Sequence, residues 1–304
     1  MELNHYTIEP ENNTFTDIGI DITHKCNMEC KNCYIPNRDI PDMDIDKLIE
    51  CISKFPKRTM LRIIGAEPTM RPDLPDIITR IKSQGHKVSL ISNGLKSGNE
   101  NYVLRLKKAG LRHCYISMNG VDNDDWYEII DELRCAKRKI QALRNITKHR
   151  FVTDLGCILV KGVNDFAPYN MMQLLYKENI KNCVVRFKTI GQIGRYMDQT
   201  NFTVEEMINT VADQVGVSND YIFEWQKKWK YARGDSEIDS FLFPLNPNAK
   251  FVYRGGIWIK LVNWDITHSD REWPIPNSTR RGRITKDFKV APFFEDIKLN
   301  EGSY

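Results

Sequence analysis

Residues 16–36, TDIGIDITHKCNMECKNCYIP, decide how this chain is read. The first seven, TDIGIDI, form a β-rich run, and the chain passes from it directly into a loop carrying Cys26, Cys30 and Cys33. Similar runs recur as MLRIIG at 60–65, KVSLIS at 87–92, HCYISM at 113–118, DLGCILV at 154–160 and CVVRFKTI at 183–190. Amphipathic stretches near 44–55, 73–84, 99–109, 124–148 and 167–180 lie between them, each long enough to carry the chain back to a parallel neighbour. Strand and helix in repeated alternation predict an α/β fold built on a six-stranded parallel sheet. In such sheets the loops beyond the carboxyl ends of the strands carry the chemistry, and the cysteines stand on the first of these loops.

Beyond about residue 195 the pattern changes. Thr203, with Glu206 three residues later, predicts a capping box opening a helix to about Gly216, and WQKKWKY predicts a second helix. FVYRGGIWIKLVNW reads as a hairpin turning at Gly255 and Gly256. Residues 1–195 are thus expected to form the core, and 196–304 a cap over it, not an independent domain.

At 304 residues, 41% of them hydrophobic, the chain can bury a full core. Its formal net charge of +4 is too mild to argue for nucleic acid. The basic run Arg280, Arg281, Arg283 is expected to be a solvated loop. The opening MELNHYTIEPENN has no apolar stretch, and no segment is long enough to span a bilayer, so a soluble cytoplasmic protein without a membrane partner is expected. Eight cysteines would suit a disulfide framework, yet three cluster within eight residues and the others, Cys51, Cys114, Cys135, Cys157 and Cys183, are scattered. A reducing compartment with one metal site fits better, and the scattered thiols are expected to act as small buried hydrophobes.

Three thiolates in one compact loop leave one iron of a four-iron cluster open to an exogenous ligand. The alternative is a structural zinc site, which needs a closed set of four ligands, with His24 or a distant cysteine as the fourth. A single triplet on the first strand–helix loop favours the cluster. The spacing of the three cysteines, followed by Tyr34, resembles the signature of the radical S-adenosylmethionine (radical SAM) superfamily, and the resemblance extends over about residues 15–195. It implies a partial (β/α)6 TIM-like barrel, here with a C-terminal helix and β-hairpin cap. It implies one [4Fe-4S] cluster whose open iron is chelated by the methionyl group of S-adenosyl-L-methionine. Reductive cleavage of that cofactor then yields a 5′-deoxyadenosyl radical that abstracts a hydrogen atom from a substrate.

The remaining loops follow the same resemblance. Gly65, Ala66 and Glu67, in IIGAEPTM, are similar to the family's Gly-Gly-Glu-Pro segment, with Glu67 placed to accept protons from the methionyl ammonium. Ser92 and Asn93 resemble its Thr-Asn-Gly turn; Ser117 and Asn119 are expected near the ribose, and Asn164 near ribose or carboxylate. Arg186 is expected at the methionyl carboxylate, and the segment from Gly191 through Ile193 to Gly194 against adenine. Asn32 departs from the family, which often has an aromatic there, and Tyr34 is expected to take over the adenine contact. Cys157, Lys161, Tyr196 and Asp265 are candidates to donate or accept the substrate's hydrogen or proton, none singled out, and the tryptophans Trp225, Trp229, Trp258 and Trp264 are expected to pack in the core rather than line a substrate pocket. The family's implied electron donor is a flavodoxin or ferredoxin. A peptide or protein is the first substrate class by likeness, with a nucleoside or other small metabolite as the alternative. The non-enzymatic reading is a zinc or cluster protein that binds a partner.

Overall fold

In the computed structural model, residues 7–35, 37–191, 195, 201–222, 237–243 (backbone only), 257–262 and 281–292 are described. The six expected strands are all present: β1 Asp17–Asp21, β2 Met60–Ile64, β3 Lys87–Ser92, β4 His113–Ser117, β5 Val152–Ile158 and β6 Cys183–Lys188. They lie in that order and every neighbouring pair is parallel. The crossovers are α1 Ile45–Ser53, α2 Leu74–Ser83, α3 Glu100–Lys108, α4 Asp124–Asp131, α5 Ala136–Lys148 and α6 Ala167–Lys177. Side-chain caps start several of them: the Asp44 carboxylate accepts from the N–H groups of Asp46 and Lys47, and Asn99 accepts from Tyr102. After the sheet core comes α7 Val204–Val215, opened by the expected capping box between Thr203 and Glu206.

Register sorts the two faces. Ile20, Ile63, Leu90, Cys114, Thr153, Cys183 and Ile257 form one row across seven strands, and all but Thr153 belong to the main hydrophobic core. The alternate residues form rows such as Ser117, Gly156, Arg186 and Lys260 on the opposite face. That face is polar, where a closed eight-stranded barrel packs branched apolar side chains. The sheet is not closed: it runs β10-β9-β1-β2-β3-β4-β5-β6-β8-β7.

The structure differs from the sequence reading in three places. The stretch 124–148 is two helices, because Glu132 adopts a left-handed conformation (φ 52°) and the Asp124 carboxylate accepts from the Ala136 N–H at the start of the second. The strand β8 Ile257–Val262 has no free edge for a partner across Gly255–Gly256: it is parallel to β6 on one side and antiparallel to β7 Glu237–Phe243 on the other. Its run IWIKLV is buried as an inner strand rather than half-exposed as a hairpin arm. Arg281 and Arg283 stand in a strand, β9 Arg281–Ile284, parallel to β1, with β10 Val290–Pro292 returning antiparallel beside it. They share one face of a strand whose other residues are glycine and isoleucine, so burial replaces the expected solvated loop. The segment WQKKWKY, residues 251–256 and 263–264 of the hairpin run, and Arg280 lie outside the described residues.

Gly156 shows how tightly the polar face is filled: a Cβ there would lie 1.6 Å from Tyr115 Oη. Gly156→Ala is therefore expected to cost about 1–3 kcal/mol by overpacking, measured by urea unfolding. The double variant Tyr115→Ala/Gly156→Ala should cost less than the sum of the two single changes, and strict additivity would refute the contact.

Candidate active site

The loops at the carboxyl ends of β1, β2 and β3 are laced together by backbone bonds. The Ala66 N–H donates to Thr23 O and the Glu67 N–H to Lys25 O, both at 3.0 Å. Gly65 sits at φ 125°, and a Cβ on it would approach the Thr23 carbonyl oxygen to 2.4 Å, so only glycine permits this crossing. Glu67 is fully buried. Its Oε1 accepts from the Thr69 N–H, the Thr69 hydroxyl and the Ser92 hydroxyl, and its Oε2 accepts from the Asn93 N–H at 2.6 Å. Four donors use the acceptor capacity of this carboxylate, which ties the β2 loop to the β3 loop behind the cavity wall rather than presenting itself to the cavity. Asn93 in turn donates to Asn27 Oδ1 and so reaches the cysteine loop.

A single cavity lies over these loops and runs down the polar face of the sheet. Cys26, Cys30, Cys33, Tyr34, Gly65, Ala66, Ser92, Asn93, Ser117 and Arg186 all line it. Of the other expected residues, Asn119 and Asn164 are buried away from it. Asn119 donates to Asp131 Oδ1 and accepts from the Ile158 N–H, while Asn164 donates to the carbonyls of Asn119 and Ile158 and accepts from the Val160 N–H. The two amides tie the β4 loop to the β5 loop. Ile193, Tyr196, Asp265 and the tryptophans 225, 229 and 264 lie outside the described residues. Lys161 is exposed and paired with Glu206, and Cys157 is buried in the core. All eight cysteines are free thiols, the five scattered ones buried.

Cys26, Cys30 and Cys33 stand around one end of the cavity. Burial pushes the thiols of Cys26 and Cys30 up, and the neighbouring Asp131 carboxylate pushes Cys30 further. Thiols held protonated in this way release protons on binding a cation. Arg38 Nη2 lies 3.6 Å from Cys33 Sγ, and Lys139, buried with its ammonium donating to Ser117 O, also lines this end. Among the described residues no three histidine, cysteine or acidic side chains converge tightly enough to share one ion. Three thiols on one compact loop are the donor set of a four-iron cluster that keeps one iron open. The donor set fits a cluster.

Sequence reading missed two features of this site. Asn32 makes a reciprocal pair with Gly191: its amide donates to the Gly191 carbonyl at 2.7 Å and accepts from the Gly191 N–H at 3.0 Å. With the paired backbone of Cys33 and Arg195, this clamps the cysteine loop to the segment after β6. The residue that departs from the family pattern thus has a structural task, which only a long-range contact reveals. The second is the charge on the deeper wall, where Asp17, Arg62, Tyr115, Arg186, Lys188 and Arg281 line the cavity. Arg62 is a two-point partner of Asp17. Burial works to raise the Asp154 carboxyl, but the His113 hydrogen bond and the Arg186 charge prevail and hold it well below the usual carboxylate range. Burial, together with the charges of Arg186, Arg281 and Arg62, lowers the Lys188 ammonium to about 7.

The chain matches the model of the Radical SAM superfamily over residues 20–175. It is 29% identical over 64% of its length to 7,8-dihydro-6-hydroxymethylpterin dimethyltransferase of Methanocaldococcus jannaschii, covering 41% of that protein. It is 29% identical over 54% of its length to the probable GTP 3′,8-cyclase of Pyrococcus horikoshii, covering 53%. The chain therefore spans about half the length of the curated relatives it matches. Among solved structures, Streptococcus suis SuiB bound to S-adenosylmethionine superposes with a TM-score of 0.60 at 10% identity, over 91% of this chain and 60% of SuiB. The enzyme anSMEcpe with bound AdoMet and the Cp18Cys peptide superposes with a TM-score of 0.53 at 12% identity, over 70% of this chain and 61% of that one. These two likenesses concern the fold. Fold, cysteine loop and the family match over about half of the chain agree, and the chain belongs to the radical SAM superfamily.

Proposed function

We propose that Cys26, Cys30 and Cys33 hold one [4Fe-4S] cluster, that S-adenosyl-L-methionine binds beside it, and that the substrate is a small molecule seated deeper in the same cavity. The observation that carries this reading is the continuity of that cavity, from three thiols at one end to the charged face of the sheet at the other. When bound, the cluster supplies the electron that breaks a carbon–sulfur bond of S-adenosylmethionine and yields the 5′-deoxyadenosyl radical. The chain's own residues orient and shield that chemistry.

Gly65 and Ala66 let the methionyl end approach the backbone, and Ser92, Asn93 and Ser117 offer polar atoms around it. Glu67 acts as a positioning residue, fixing the Asn93 loop through its four bonds. Asn119 and Asn164 likewise fix the β4 and β5 loops on which the ribose would rest. Tyr34 lines the cavity with the Arg283 guanidinium 5.9 Å from its ring centroid, and is the residue assigned to adenine; Ile193 is assigned with it. Reducing electrons come from a flavodoxin or ferredoxin. The small-molecule reading is supported by the names of the relatives, which act on a pterin and on GTP. The peptide reading rests on likeness of fold alone. No helix among the described residues is long and apolar enough to cross a membrane.

Anaerobic reconstitution with iron and sulfide, followed by dithionite and S-adenosylmethionine, should yield 5′-deoxyadenosine with the wild-type chain and none with Cys30→Ala. A wild-type protein with a full, reducible cluster that forms none would sink the proposal. Glu67→Gln places amide protons among bonded donors and is expected to lower stability by about 2–3 kcal/mol, read by urea unfolding. The same variant should raise the hydrogen-exchange rate of the Asn93 amide and weaken S-adenosylmethionine binding. An unchanged Asn93 exchange rate would show that Glu67 does not hold the loop.

A further inference from the structure

Among the described residues, the deeper wall of the cavity brings together the cationic side chains of Arg62, Arg186, Lys188 and Arg281 and the carboxylate of Asp17, with Asp154 behind Arg186. They come from β1, β2, β6 and β9: β9 is parallel beside β1, and β6, four strands beyond β2 in the sheet, faces them across the same cavity. Their placement separates them from the cysteine end. Arg62 lies three residues before Gly65 on β2, about 10 Å along the strand. Arg281 is level with Asp17 and Met60, deeper still. Arg38 and Lys139, the other cations of the wall, stand beside the cysteines and serve that end.

A second observation points to a ligand at this place. Tyr115 lines the cavity and is 7% exposed, and its hydroxyl has no hydrogen-bond partner among the described residues. A buried hydroxyl left without a partner costs on the order of 1–3 kcal/mol. The Lys188 ammonium lies 4.8 Å from the Tyr115 ring centroid, and both side chains line the same cavity. Gly156 gives the Tyr115 ring its room, and in register it separates Ser117 from Arg186. Arg62, Arg186, Lys188 and Arg281 are half-buried, so a charge-assisted hydrogen bond from any of them to an anion in the cavity is screened less than on an open surface.

We propose that this wall is the oxyanion-binding half of the substrate site: the substrate carries phosphate or carboxylate oxygens that accept from Arg62, Arg186, Lys188, Arg281 and Tyr115 Oη. The assignment rests on the small-molecule reading above and gives it a chemical class. It also moves Arg186 from the methionyl carboxylate to the substrate, since its position one pleat below the end of β6, salt-bridged to Asp154 at 2.8 Å, faces the deeper wall.

The test is calorimetric titration of the reconstituted enzyme, saturated with S-adenosylmethionine, with inorganic pyrophosphate and separately with citrate. One-to-one binding of either probe is expected, pyrophosphate winning for a phosphorylated substrate and citrate for a carboxylated one. Lys188→Met and Arg281→Gln should each weaken the preferred probe about tenfold or more, and Tyr115→Phe about threefold or more. Lys188→Arg and Arg281→Lys keep the charge and should retain binding, which separates lost charge from a damaged fold. Lys108→Gln, exposed on α3, should change nothing. Absence of binding for both probes, or binding indifferent to Lys188→Met and Arg281→Gln, overturns the inference. Formation of 5′-deoxyadenosine is scored independently, so its presence without anion binding leaves the radical chemistry standing and removes only this assignment.

Discussion

The parallel pairing of β1 with β2 is the constraint on which the site depends. Asp21 is level with Ile64, so both strands end together and their loops meet at once. Thr23 O then receives the Ala66 N–H, and the same carbonyl forbids any side chain on Gly65. A slip of one residue would turn Ile18 and Ile20 toward the polar face and Asp17 and Asp21 into the core. Because the apolar set is continuous across the sheet from Ile20 to Ile257, that slip would expose several buried side chains, each worth about 1.5–3 kcal/mol. The register is therefore fixed by the helix-facing core, and the cysteine loop inherits its position from it.

Burying charge on the other face carries its own cost. Removing ions from water is expensive, and a pair repays it only with good geometry and further hydrogen bonds. The sheet meets this with short local pairings: Arg62 with Asp17, Arg186 with Asp154, and the fully buried Arg283 with Asp21. Each carboxylate lies on a strand next to that of its guanidinium, so the pairs are set by register rather than by flexible loops. A wall built this way holds its charges in place before any ligand arrives, which lowers the reorganisation needed on binding.

What the sequence made legible follows from how local the signals are. Strand–helix alternation, the capping box at Thr203 and the cysteine spacing are contained within short windows, and the structure reproduces the six strands and α7. Arg281 and Arg283 were illegible for the opposite reason. A basic run reads as solvated until a strand more than two hundred residues earlier is placed beside it, which turns both side chains inward. The same holds for Asn32, whose partner Gly191 is 159 residues away. Glu67 was visible as a polar residue on a loop, but its neighbours Ser92 and Asn93, some twenty-five residues on, decide whether it meets a ligand or a neighbouring loop. The break between α4 and α5 was hidden because it is made by a left-handed Glu132, with no glycine or proline to mark it.

The cavity's two ends also bear on how a reaction in it would be oriented. On the proposed assignment the cysteine end is occupied by the cluster and the cofactor, while the cations of Arg62 and Arg281 lie some 10 Å or more along the strands. At an effective dielectric of about 20, two opposite unit charges 5 Å apart attract by about 3 kcal/mol, and 10 Å apart by about 2 kcal/mol. On that assignment a substrate with an anionic end is turned by attraction to the deep wall, and the cofactor already fills the cysteine end. Its uncharged portion is left facing the cysteine loop. Orientation of that kind comes from the sheet's own charge pattern, before any specific contact to the reacting carbon, and it links the parallel strand order to the chemistry at its edge.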